Sequence, residues 1–169
     1  MPASDQHTIA RAAARLIDTG LADAAAIQGC RDDEIDRLER GLGVVLPPIY
    51  RQFLARMGRS AGAFLTGTDF LLAHFPGLRA EVERLLDEAH AAFRLAEADF
   101  VFAMHQGYQF LYFTTGAADD PAVWLFAEGG PGPRCVFDHF SQWLAACVAD
   151  EIAAREASGA TGSPVATKA

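Results

Sequence analysis

Residues 87–90 read Asp-Glu-Ala-His, the order of a helicase acidic box, and residues 58–62 read Gly-Arg-Ser-Ala-Gly, the spacing of a hydrolase nucleophile elbow. Each pattern names a chemistry, and each needs a neighbour to perform it. In the acidic box, Asp87 and Glu88 act on magnesium and water only beside a phosphate loop, whose GxxxxGK[ST] pattern requires a lysine. The chain's single lysine, Lys168, lies in Ser-Pro-Val-Ala-Thr-Lys-Ala with no such loop before it. The acidic box is therefore read as a solvated face of an amphipathic helix over residues 78–95, whose buried stripe is Leu78, Val82, Leu85, Leu86, Ala89 and Phe93.

The elbow fails on geometry. It requires a strand entering and a helix leaving, so that the serine is held exposed on a strained turn. Here a helix enters, and residues 58–62 read as its C-cap followed by a flexible loop. Asp138 and His139 follow in the hydrolase order, but as chain neighbours they are poorly placed to align as an orienting pair. His7, His74, His90, His105 and His139 are scattered, with no i, i+4 pair of the HExxH type and no clustered acids. Cys30, Cys135 and Cys147 are odd in number, widely spaced and without a CxxC pair, which argues against a disulfide framework or structural zinc. Cys147 reads as a small core residue on a helical stripe. No catalytic, metal or cofactor set can be assembled, and the chain is read as non-enzymatic.

The elements that position these residues follow from periodicity. From His7 to Asp18 an Ala-rich helix carries Ile9, Ala13, Leu16 and Ile17 on its apolar side, stopped by Gly20. Asp32 is placed as the N-cap of a second helix with Ile35, Leu38 and Leu42 on one stripe and Asp36, Arg37, Glu39 and Arg40 facing water. Gly43 suits the left-handed C-cap. Val44, Val45 and Leu46 form an extended apolar link, Pro47 keeps Leu46 out of helical torsions, and Pro48 opens a third helix lined by Ile49, Phe53, Leu54 and Met57, ending at Gly58.

The second half switches to strands. Residues 100–104, a Gln106-Gly107 turn and residues 108–114 predict a hairpin, with Tyr108, Phe110 and Tyr112 on one face and Gln109, Leu111 and Phe113 on the other. Both faces are largely apolar, so this strand is expected to be central. Residues 122–127 and 134–137 predict two further strands, separated by Gly129-Gly130-Pro131-Gly132-Pro133. A closing helix follows, capped by Asp138, with Phe140, Leu144, Cys147, Val148 and Ile152 on its apolar face and Trp143 beside them. The order predicts an α+β single domain: N-terminal helices, an antiparallel meander sheet of about four to six strands, and a closing C-terminal helix.

Residues 32–58, an acidic amphipathic helix, Gly43, Leu46-Pro47, Tyr50, Phe53-Leu54 and Gly58, resemble the SUKH superfamily. That group contains yeast cell-wall-assembly regulators and many bacterial immunity proteins of polymorphic toxin systems. The resemblance extends over residues 32–152, where the strand and Phe-rich closing helix are also similar. The expected organisation is an N-terminal helical extension (1–31), a SUKH-like domain (32–156) and a disordered tail (157–169), the last being small and polar.

The resemblance implies a non-catalytic protein-binding domain of bacterial origin, an immunity protein that neutralises a cognate toxin by direct binding. The partner class it implies is a toxin domain, often a nuclease or deaminase. The alternative it allows is an intracellular regulatory scaffold of the cell-wall-assembly type. A formal charge of −8 argues against a general nucleic-acid binder and suits steering toward a basic partner. No apolar run approaches a membrane span, and the N-terminus lacks a signal-type basic region and apolar core, so the expected location is the cytoplasm. Tyr108, Tyr112 and Trp124 are the candidate aromatic anchors, with Asp119, Asp120 and Glu128 as an acidic rim.

Overall fold

The computed structural model describes residues 3–160, and side chains from residue 8 to residue 158. Helix α1 (Ala3–Asp18) precedes a two-residue strand β1 (Ile27–Gln28), helices α2 (Asp32–Leu42) and α3 (Pro48–Met57), and short strands β2 (Ser60–Ala61) and β3 (Thr68–Asp69). Helix α4 (Phe75–Glu88) leads into strands β4 (Asp99–His105), β5 (Gln109–Thr114), β6 (Val123–Ala127) and β7 (Arg134–Phe137), and helix α5 (Phe140–Ala160) closes the chain. Strands β3 to β7 form one antiparallel sheet in sequential order, with β5 at its centre, and β1 pairs with β2 in a separate ribbon. This is the α+β meander that the alternation of residues 99–137 predicts.

The hairpin register pairs Phe100 with Phe113 and Met104 with Phe110, and a bulge between Val101 and Ala103 interrupts β4. The extra residue, Phe102, thereby joins Phe100 and Phe113 on the side of α3 and α5, where its ring meets Trp143 at 4.8 Å. Tyr50 of α3 sits at the middle of this layer. Its ring centroid lies 5.1–6.4 Å from those of Phe53, Phe75, Phe100, Phe102, Phe113 and Phe140. Its hydroxyl is fully buried with no hydrogen-bond partner, and burial drives its pKa well above the ordinary tyrosine value.

Helix α1 contributes Ile9, Ala12, Ala13 and Leu16 to the same core and packs against α3 and α5. Gly20 turns left-handed after it, at φ 69°, and its carbonyl accepts a 2.7 Å hydrogen bond from Arg155 of α5. Gly29 is required by close approach: a Cβ there would stand 1.7 Å from the Ala55 carbonyl oxygen. Directly after it, the Cys30 N–H donates to the Leu54 carbonyl at 2.8 Å, fastening this segment along the last turn of α3.

Four local expectations are corrected. Helix α2 begins at Asp32, with Arg31 at the N-cap, and the Glu34 carboxylate accepts the Arg31 backbone N–H at 2.8 Å. A glutamate three residues inside the helix can satisfy that N–H, so no Asp32 cap is needed. Helix α4 starts earlier than the stripe suggested and ends at Glu88 instead of running to residue 95. His90 turns left-handed at φ 49°, and the released segment lays the Phe93 ring over Tyr112 and Phe126. Residues 60–61, expected in a loop, pair with β1. The closing helix is held by Asp120, not Asp138: the Ser141 N–H and hydroxyl donate to the Asp120 carboxylate at 3.0 and 2.5 Å. Helix α5 continues to Ala160, and residues 161–169 of the segment expected to be disordered lie outside the described residues.

Candidate functional site

The six anchor and rim residues fall into three places on the sheet. Tyr108 and Glu128 meet at one end of it, where the Glu128 N–H donates to the Tyr108 carbonyl at 2.9 Å. The Tyr108 side chain is 42% exposed and its ring meets His105 edge-on. His105 is itself held by Thr68, whose hydroxyl lies 2.8 Å from its Nδ1. This end therefore presents one aromatic ring and one carboxylate on fixed backbone.

Tyr112 and Trp124 are cross-strand partners in the middle of the sheet. Their rings stack at 6.5 Å, and Phe93 stacks on the other side of Tyr112 at 5.7 Å. Phe110 and Phe126 extend the layer. Tyr112 is buried within it, and burial together with the Asp99 carboxylate pushes its pKa up to about 12, so the hydroxyl stays protonated. Trp124 is the member that reaches solvent, at 36% exposure, and Cys135 opposite it on β7 is exposed as well. The stack gives Trp124 a rigid backing, which lowers the ordering cost of using it as an anchor.

Asp119 and Asp120 lie at the opposite end, in the connection between β5 and β6. A strand rises ~3.3 Å per residue, so Trp124 stands about 13 Å from Glu128 along β6. The two aspartates do different things. The Asp119 carbonyl accepts the Ile49 N–H at 3.3 Å, and its side chain is exposed with no ion pair among the described residues. Asp120 points inward and satisfies the first turn of α5, while its carbonyl lies 3.1 Å from Nδ1 of His139. One dipeptide thus ties the starts of α3 and α5 to the sheet.

The patterns that named a chemistry are built differently from the machines they resemble. Ser60 lies in β2, entered from α3, and its backbone pairs with Gln28. Asp87 and Glu88 are exposed at the end of α4, where Asp87 meets Arg94 at 3.3 Å. Among the described residues no three His, Cys, Asp or Glu side chains gather into a metal-binding group, and no helix is long and apolar enough to cross a membrane. The three cysteines are free, with burial pushing Cys30 up to about 11 and Cys147 up to about 12.

A further surface was not singled out by sequence. The link between α2 and α3 alternates, as an extended chain must: Val44 is half-buried, Val45 is 78% exposed and Leu46 is buried. Leu42 and Val44 form one wall of a cleft of about 310 Å³ whose floor is Phe75, Phe100 and Val101. The signal available beforehand was three consecutive apolar residues in a link, which cannot all face inward.

Four of the five acids of α2, by contrast, are matched, Asp32 being the exception among the described residues. Asp33 meets Arg31 and Arg37 at 2.9 and 2.7 Å, Asp36 meets Arg51 at 2.9 Å, Glu39 meets Arg51, and Glu34 meets Arg59. The Arg51 pairs join α2 to α3. The arrangement as a whole offers exposed apolar groups on rigid backbone, rimmed by carboxylates, and suits recognition of another protein.

No curated protein sequence matches the chain. The model of the SMI1 / KNR4 family (SUKH-1) matches residues 29–146, from the glycine packed on α3 through most of the sheet and into α5. With that span covering well over half its length, the chain belongs to the SMI1 / KNR4 family (SUKH-1).

Proposed function

We propose that this chain is a non-catalytic protein-binding domain, an immunity protein that neutralises a cognate bacterial toxin by occupying it directly. The observation that carries the reading is the Trp124–Tyr112–Phe93 stack, which holds an indole at the surface on a β-strand. Large rigid aromatics of this kind concentrate binding energy in protein interfaces. Family membership supports it, since the superfamily includes immunity proteins as well as regulators of the cell-wall-assembly type. The formal charge of −8 favours a basic toxin domain, a nuclease or a deaminase, by accelerating encounter. In this reading Trp124 and Tyr108 are the anchors, Tyr112 backs Trp124, Asp119 and Glu128 steer, and Asp120 keeps its neighbour in place. The domain acts in the cytoplasm, before a toxin reaches its target there.

The test is co-expression of this chain with the toxin domain encoded immediately upstream of its gene. Survival of the cells, lost with Trp124→Ala while the variant stays folded, is the expected result. Death despite soluble co-expression sinks the reading. A gene neighbourhood of cell-wall or metabolic functions with no toxin would direct attention to the regulatory scaffold instead.

A further inference from the structure

We propose that the cleft between the α2–α3 link and the start of β4 is a docking site for a protein segment that projects one large apolar side chain between basic residues. The inference rests on the reading of the chain as a protein-binding domain and assigns a second contact surface and the chemistry of its occupant. The cleft lies at the Asp119 end of the sheet. It is distinct from the Trp124 stack and from the Tyr108–Glu128 end.

Three observations carry it. The floor is apolar, formed by side chains that also belong to the core: Phe75, Phe100 and Val101 are all at most 5% exposed. Such a floor is preformed, so occupying it requires no rearrangement. The wall is apolar and continues outward. Leu42 is 36% exposed, and Val44 separates the cleft from a shallow depression that includes Val45, the most exposed large hydrophobic residue described. A volume of about 310 Å³ accommodates a single aromatic or branched side chain, and the Leu42–Val45 ridge lies along the segment that would carry it.

Charge selects the occupant. The cation in the cleft, Arg79, is bonded to Glu83 at 3.0 Å and to the carbonyls of Asp99 and Ala96 at 2.9 and 3.1 Å, so its donors are already engaged. The Asp99 carboxylate is buried and satisfied by the Ala96 N–H and the Thr114 hydroxyl. Glu97 in the lining has no ion pair among the described residues. Arg40 lies across Val45 from the cleft, with its Nε donating to the Asp36 carbonyl. The lining sets the carboxylates of Glu97 and Asp99 against one cation, Arg79, itself paired with Glu83, so the cleft carries a net negative charge, complementary to Lys or Arg flanking the inserted side chain.

Two blocked hexapeptides provide the probes: Gly-Arg-Phe-Leu-Arg-Gly and its counterpart with glutamate in place of arginine. Each is titrated into the full ¹⁵N-labelled chain and followed by amide chemical shifts. The basic peptide is expected to move the amides of Leu42, Val44, Glu97 and Val101, and to bind about tenfold more tightly than the acidic one. Val45→Asn and Glu97→Lys alter exposed side chains and keep the fold, which the dispersion of the same spectra verifies. Each is expected to weaken the basic peptide about fivefold to tenfold. Equal affinity for the two peptides, shifts centred on Trp124 or Tyr108, no shifts at all, or indifference to both variants overturns the proposal. Its failure is separable from that of the immunity reading. A toxin domain bound equally by the wild type and Val45→Asn overturns the cleft and leaves protein binding standing. Peptide binding at the cleft without protection from any toxin sustains the cleft and removes immunity.

Discussion

The two faces of the central sheet carry similar aromatic inventories and put them to different uses. On one face Phe100, Phe102 and Phe113 are enclosed by Tyr50, Phe53, Phe140 and Trp143, and every one of these rings is nearly or wholly buried. On the other, Phe110, Tyr112 and Phe126 are covered only as far as Phe93 reaches, and Trp124 ends the layer in solvent. The difference is one of cover. Helices α3 and α5 seal the first face, whereas beyond α4 the second is covered by an irregular segment from which Phe93 stacks on Tyr112 and Phe126. Aromatic rings are therefore wholly enclosed on one side and reach solvent through Trp124 on the other, and composition alone does not distinguish them.

Truncating matched aromatics on the two faces breaks or sustains this contrast. Phe113→Ala, on the sealed face, is expected to cost about 3–5 kcal/mol in urea unfolding, because the rings around it cannot collapse into the vacated space. Trp124→Ala should cost about 1 kcal/mol or less, since much of the indole is already in water, and should act mainly on partner binding. Equal losses for the two variants would show that the open face is as tightly packed as the closed one.

Smaller effects refine the comparison at its edges. Asp120→Ala removes the carboxylate that satisfies the start of α5 and is expected to lower stability by about 1–2 kcal/mol, whereas Asp119→Ala should change it by less than about 0.5 kcal/mol. Equal effects would mean that the two aspartates share one role. Tyr50→Phe deletes a buried hydroxyl that has no partner and should raise stability by about 1 kcal/mol, seen as a higher urea midpoint. A loss instead would reveal a hydrogen bond to that hydroxyl.

The smallest effect concerns pH. Burial, reinforced by Asp150 and Glu151, pushes the Cys147 thiol from its ordinary value of 9.0 up to about 12. Between those values the unfolded chain has released a proton that the folded chain keeps, so this group's contribution to stability is full below pH 9 and declines as pH rises through the window. Cys147→Ala should flatten the alkaline decline in the urea midpoint relative to the wild type. An unchanged slope would show that the thiol titrates normally in the folded chain.

Much of the fold was legible because its signals are local. Ile35 and Leu38 of the stripe, the left-handed Gly43 at φ 68°, and Pro48 in the first turn of α3 depend on neighbours within a few residues, and the structure holds them as read, whereas Leu42, read on the same stripe, is 36% exposed where the helix ends. The hairpin over residues 99–114 was legible for the same reason, since alternation in two adjacent runs leaves few registers. Helix α4 shows where this stops. The apolar stripe continues past Glu88 to Phe93, but the chain leaves the helix because the Phe93 ring packs on a strand face that no local pattern records.

The amino-acid sequence by itself determined the α+β class, the order of the elements, the central place of β5 and the family, because each follows from periodicity, turn residues or a short ordered motif. The tertiary structure alone decided which of the marked residues face outward. Asp119 and Asp120 are chemically identical neighbours, yet one carboxylate is exposed and the other is bonded to Ser141 of α5. Val45 and the cleft beside it emerge only when α2, α3, α4 and β4 are brought together. Exposure depends on what long-range packing places against a side chain, and that information lies in contacts between distant segments.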